Sequence, residues 1–186
     1  SWSGLVTKTD WTFTTDDIID PTLTGFSPLD NAVDVAPSGD LTITFSEDMV
    51  KGTGNIIVKN TTDDSIITTI AVTSSEVSIV NNVATINPAT DLPSETAMYV
   101  EVPNTAFKDL YDHAYAGFND KTTWNFTTAD ITPPTVVISS SVVNPSNVAF
   151  TTIFTFSEEV SGFDLSDITL GNATASNFSS TSTSVY

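Results

Sequence analysis

The sequence predicts an all-β chain built of Greek-key β-sandwiches in tandem, and three observations carry that expectation. The first is the choice of polar residues: 32 Thr and 22 Ser stand against 5 Lys and no Arg. Hydroxyls suit solvent-facing strand positions, whereas surface helices draw on Lys, Glu and Gln. The second is periodicity, since Leu41, Ile43 and Phe45 alternate with Thr42, Thr44 and Ser46 as a half-buried strand requires. The third is punctuation. Turn chemistry recurs at Asn31, Pro37-Ser38-Gly39, Gly52-Thr53-Gly54, Asn81-Asn82, Pro88 and Pro93, and no window of ten or more residues carries a capped 3.6-residue period.

Taken in order, strands are expected at 22–27, 41–45, 55–59, 66–72, 76–80, 83–87, 97–102 and 122–127. Within them Met98, Val100 and Val102 should face inward, and Trp124 and Phe126 should share one face. Short strands at this spacing, separated by turns, fit a Greek-key sandwich better than any helical or α/β architecture.

The chain also repeats. Residues 4–22 (GLVTKTDWTFTTDDIIDPT) and 117–135 (GFNDKTTWNFTTADITPPT) agree at 11 of 19 positions with a constant offset of 113. Residues 41–49 (LTITFSEDM) then align with 152–160 (TIFTFSEEV) at an offset of 111, so the order of motifs is kept. A period near 110 is far longer than a solenoid unit and suits independent sandwich domains in series. The expected organisation is therefore residues 1–16 as the closing strand of a preceding domain, 17–130 as a complete sandwich, and 131–186 as the first half of a following one. Flanking sequence is expected on this reading. The junctions, TTDDIIDPT and TTADITPPT, place prolines in short linkers and should restrict the angles between neighbouring beads.

Charge narrows the function. With 23 Asp plus Glu the formal net charge is −18, which argues against nucleic acid or an anionic membrane as partner. The absence of cysteine excludes disulfides, thiolate nucleophiles and Cys-ligated metals. No apolar run reaches the length of a membrane span, so direct membrane insertion is not expected. Yet 39% of residues are apolar and 10% aromatic, too many for a disordered acidic tail.

No catalytic constellation stands out, and the expectation is that the chain is not an enzyme. The one histidine, His113, falls in an expected loop and reads as a solvated side chain rather than a catalytic base. No phosphate loop, HExxH or Cys/His cluster is present. Trp11 and Trp124 occupy equivalent places in the repeat beside Phe13 and Phe126, which favours core packing over a sugar-stacking platform.

The acidic residues carry more information by position than by number, because each loop of a sandwich lies at one pole or the other. The incoming linker (Asp16, Asp17, Asp20), the end of the 41–45 strand (Glu47, Asp48) and the loop before the last strand (Asp109, Asp112) should gather at the pole facing the preceding bead. At the next junction Asp130, Glu158 and Glu159 should meet by the same logic, with Asp91 or Asp34 reaching in. Like charges so crowded are unfavourable unless some protonate or a cation binds, and Ca²⁺ takes six to eight oxygen ligands from such loops. Asp17, Asp20, Glu47, Asp48, Asp109, Asp112, Asp130, Glu158 and Glu159 are thus candidate Ca²⁺ ligands; the bland reading is that they are ordinary solvated turn residues.

The Pro-containing linker followed by FSPLDNAVDVAPSGDLTITFSEDM, a Gly-rich turn, NNVATINPATDLPSETAMYVEVPNTAFKD and TTWNFTT resembles the bacterial immunoglobulin-like domain of the S-layer (SbsA-like) type across 17–130. The stretch TPPTVVISSS with TFSEEVSGFDLSDITLGNATASNF resembles a related immunoglobulin-like repeat of large bacterial surface adhesins. One departure is the run Lys108-Asp109-Leu110-Tyr111-Asp112-His113, where the S-layer type often has Asp followed by Ala-Gly-Asn. The resemblance implies tandem immunoglobulin-like domains in a secreted, extracellular cell-surface protein, acting as a stalk or spacer of an adhesin or filament. Its partners would be neighbouring domains of the same polypeptide, with a host or surface glycan or protein engaged by modules outside this window. Two alternatives remain open: a glycan- or protein-binding module, for which Tyr99, Tyr111 and Tyr115 are the candidate exposed aromatics, and an accessory spacer of a secreted polysaccharide-degrading enzyme.

Overall fold

The computed structural model describes residues 15–141, 149–171 and 173–186. The expected closing strand at 1–16, with Trp2, Trp11 and Phe13, lies almost wholly outside the described residues. The chain divides into two compact units, 1–131 and 132–186.

The described part of the first unit is a β-sandwich. Its strands are β1 (Leu23–Ser27), β2 (Ala32–Val35), β3 (Leu41–Phe45), β4 (Met49–Lys51), β5 (Asn55–Asn60), β6 (Ile66–Ala71), β7 (Val77–Val80), β8 (Val83–Ile86), β9 (Ala97–Glu101), β10 (Phe107–Asp109) and β11 (Asn125–Thr128). One sheet runs β1-β3-β8-β7, the other β2-β11-β9-β5-β6, and β10 and β4 form a short separate ladder. The eight expected strands are present to within a few residues, and β2, β4 and β10 are additional. Every pairing is antiparallel except β2 with β11, which run parallel.

Alternation builds the core. Leu41, Ile43 and Phe45 of β3 and Ala84 and Ile86 of β8 come from one sheet, and Ile56 and Val58 of β5, Met98 and Val100 of β9 and Phe126 of β11 come from the other. All lie buried in one apolar cluster, as period-2 side chains on two inner faces must. The last strand locks onto the first. Trp124, fully buried, stacks on Phe26 at 4.4 Å between ring centroids, and its indole N–H donates to the Pro28 carbonyl at 2.8 Å. Phe118 meets Phe26 edge-on, so the aromatic seam spans both chain ends of the sandwich. A second group, Phe45 with Phe107 and Tyr115, fills the core beneath β10.

Central position explains why β9 is buried on both sides. Met98 and Val100 face the core, and Tyr99, on the opposite face, is covered by the Lys59 and Lys121 ammonium groups at 5.9 and 5.6 Å from its ring centre. Its hydroxyl donates to Asp64 at 2.9 Å. Backbone packing is equally tight at Gly117: φ is +70°, and an added Cβ would stand 2.4 Å from the Val102 carbonyl oxygen.

The second unit pairs β12 (Val136–Ser140) with β13 (Thr152–Phe156) antiparallel, followed by a 3₁₀ turn at Leu165–Asp167. Val136 opposes Phe156 and Ile138 opposes Phe154, so these four share one face. Phe154 and Phe156 pack with Phe163, and Phe163 with Phe178 and Tyr186. None of these rings is fully buried.

Trp124→Ala should destabilise the first unit by about 3–5 kcal/mol, the usual cost of emptying a buried aromatic site, read from urea unfolding of the chain. Gly117→Ala should cost more than about 1 kcal/mol through backbone strain alone; an unchanged midpoint would contradict the contact with Val102.

Candidate functional site

The acidic pole of the first unit is assembled from three separate stretches. Asp17 sits in the segment leading into β1, Glu47 in the turn after β3, and Asp109 at the end of β10. One carboxylate oxygen from each lies within 4.8 Å of the other two. Their side chains differ in surroundings: Asp17 and Glu47 are half-buried, and Asp109 is 1% exposed.

Asp109 is held by its own loop. Its Oδ1 accepts the backbone N–H groups of Tyr111 and His113, both at 2.8 Å, and its Oδ2 lies 2.8 Å from His113 Nδ1. The Asp109 N–H in turn donates to the His113 carbonyl at 3.0 Å. A short polar side chain capping local N–H groups is what the Asp-Leu-Tyr-Asp-His run allows. Asp17 makes a similar local turn, accepting the Ile19 N–H at 2.9 Å.

The electrostatics follow from crowding. Burial pushes the Glu47 carboxyl above the usual range of a glutamate, and the negative charges of Asp17 and Asp109 push it further. Burial also opposes the charge of Asp109, but the His113 ring and the N–H groups of His113 and Tyr111 outweigh it and hold that carboxyl below its ordinary value. The hydrogen bond to Asp109, with the charges of Asp109, Asp17 and Asp20 behind it, raises the His113 ring. His113 is therefore not the freely solvated side chain expected of it; it is half-buried and its ring lies 2.8 Å from the Asp109 carboxylate.

The other candidates lie outside the trio. Asp112 has a left-handed backbone, φ +81°, and pairs with Lys108 on the outer side of the loop. Asp48 is exposed, as alternation with buried Met49 dictates, and Asp16 and Asp20 are exposed in the incoming segment. Asp130 belongs to the first unit, near Ser94, whereas Glu158 and Glu159 belong to the second, where Glu159 accepts the Thr183 hydroxyl at 2.7 Å. Asp34 is exposed within β2 and Asp91 is exposed in the loop before β9. Of the aromatics considered for a glycan platform, Tyr99 and Tyr115 are buried and Tyr111 alone is exposed. Packing under lysine stems and against Phe45 removes the first two from any binding surface.

Comparison with known proteins gives the family of the chain. A model described as bacterial Ig-like domain matches residues 17–128, and a second, different model of the same description matches 130–186. The chain belongs to the bacterial Ig-like domains. Such domains are common in extracellular proteins, and no helix among the described residues is long and apolar enough to cross a membrane. A search of curated proteins finds no match. Among solved structures, CopC from Methylosinus trichosporium OB3b is similar at 13% identity over 61% of this chain and 97% of its own, with a TM-score of 0.43.

The signs of the shifts set a pH dependence. A raised His113 stabilises the fold below its ordinary value of 6.5, and that contribution is lost as pH rises through its folded value. A raised Glu47 acts in the same direction from 4.5 upward, and the lowered Asp109 withdraws stability only as pH falls below 3.8. In chelator, the melting temperature should therefore be higher near about pH 5.5 than near about pH 8, and His113→Gln should flatten the difference. A melting temperature that stays level or rises over that interval in the parent chain would contradict the cluster.

Proposed function

We propose that this bacterial Ig-like chain is a structural stalk or spacer segment of a secreted cell-surface adhesin or filament, with Ca²⁺ stiffening the entry to its first sandwich. The observation that carries the reading is the convergence of Asp17, from the incoming linker, on Glu47 and Asp109 of the sandwich body. A cation held there would tie the linker to the domain it enters, which is a mechanical role rather than a catalytic one.

The donor set suits a hard cation. Two oxygens on one Ca²⁺ at 2.3–2.6 Å stand at most about 5 Å apart, and the three carboxylates meet that limit. All are oxygen donors, and backbone carbonyls and water would complete the shell. Bound Ca²⁺ would offset the burial and the like charges that raise the Glu47 carboxyl above its ordinary value. The repeat, the proline-bearing linkers and the high acidic charge support a bead in a soluble surface array. The burial of Tyr99 and Tyr115 weighs against a glycan-gripping module.

Calorimetry of the chain in millimolar Ca²⁺ and in chelator tests the reading. Ligand linkage predicts stabilisation of about 2.7 kcal/mol when free Ca²⁺ exceeds Kd a hundredfold, a smaller response to Mg²⁺, and loss of the response in Glu47→Gln. Equal melting curves with and without Ca²⁺ would sink the calcium part and leave a plain proline-stiffened spacer.

A further inference from the structure

The two sheets of the first unit have four outer edges among the described residues, and these are not equally defended. An unpaired edge offers N–H and C=O groups to any extended chain, so natural edges are kept short, bulged or charged. Edge β1 carries a register break between Leu23 and Gly25. Edge β2 is broken between Phe126 and Thr128 of its partner and contains Asp34 in the left-handed region, φ +55°. Edge β7 is four residues long, between Glu76 and the left-handed Asn81. Edge β6 differs: it is six residues long, and residues 65–75 (SIITTIAVTSS) contain neither charge nor proline. Its one irregularity falls at the Ile66 end, leaving Thr68–Ala71 in regular register with β5.

Which groups face outward follows from the ladder. The Val72 N–H donates to the Gly54 carbonyl at 3.0 Å, so Ile70 and Thr68, two and four residues earlier, also bond inward to β5. Thr69, between them, therefore turns its N–H and C=O to the open side, and its side chain is exposed.

The surroundings allow a like-charged copy to approach. Three of the chain's five lysines ring this strand. Lys51 donates to the Ser74 carbonyl at 2.8 Å beyond its end, Lys59 lies on neighbouring β5, and Lys121 pairs with Asp64 at 2.7 Å in the turn before it. The carboxylates nearby are Asp63, Asp64, Glu76 and Glu101, and Lys59 neutralises Glu101 at 2.8 Å. A chain of net charge −18 is thus close to neutral around β6.

We propose that β6 is a self-association edge, pairing antiparallel with β6 of a second copy about a two-fold axis at Thr69. That register exchanges two backbone hydrogen bonds between the Thr69 residues and sets Thr68 against Ile70 of the other copy, each on the inward face of its own sheet. It is also the two-fold arrangement that homodimers favour. The join would fuse two five-stranded sheets and bind chains side by side, independently of any cation at the acidic pole.

Sedimentation equilibrium of the whole chain across a concentration series, at low and high salt, tests this. A reversible dimer that strengthens with salt is expected, because screening relieves the residual repulsion. Thr69→Pro removes an outward N–H at a position where edge strands tolerate proline, and Thr69→Lys adds a charge there. Both should abolish the dimer with the β-sheet circular dichroism unchanged. Because the parent has no cysteine, Thr69→Cys should also give a covalent dimer on oxidation faster than Ser78→Cys on β7. A monomer at every concentration and salt, a dimer that survives in folded Thr69→Lys, or faster cross-linking at position 78 would each overturn the proposal.

Discussion

Like-charge repulsion is the constraint to which the rest of the structure answers: 23 carboxylates share one chain with five lysines. The fold meets it by setting acids to work locally in turns. Asp63 accepts the N–H and hydroxyl of Ser65, and Asp164 accepts those of Ser166. Asp120 takes the N–H and hydroxyl groups of both Thr122 and Thr123, which hold its carboxyl down to about 2. Each of these acids is stabilised as an anion by its own turn and asks nothing of the core. The threonine-rich composition thereby does two jobs, facing strands to solvent and supplying hydroxyls to carboxylates.

One place departs from that economy. At the pole where the linker enters, three carboxylates from different stretches meet, and one of them is buried. Local N–H groups and His113 satisfy Asp109, whereas burial and the charges of Asp17 and Asp109 raise the Glu47 carboxyl above its ordinary value. Among the described residues these three carboxylates come within 4.8 Å of one another, and the His113 ring lies on the buried one of them.

Much of the fold was legible because it is written in local pattern. The 41–45 alternation, the inward Met98 and Val100, and the Trp124 and Phe126 pair all follow from strand period and appear where expected. Strands β2, β4 and β10 were not legible, since three or four residues carry no period. They exist because distant partners pair with them: β2 runs parallel to β11, and β4 and β10 pair with each other. Tyr99 misled for a related reason, because only the fold brings Lys59 and Lys121 over its ring. At the pole, topology placed the right loops together, but choosing among the acids needed backbone detail. The left-handed Asp112 points to Lys108, alternation turns Asp48 outward, and the loop closes His113 onto Asp109.

The central claim, that this pole is a cation site, is tested most directly by following backbone amides in a Ca²⁺ titration by nuclear magnetic resonance. The Tyr111 and His113 amides report on Asp109, and the Ile19 amide reports on Asp17. These three should shift together and saturate at one equivalent of bound ion, while the Thr122 and Thr123 amides on Asp120 stay in place. Small unsaturated shifts spread evenly over both groups would mean diffuse counterion screening of an acidic surface, and would contradict the account.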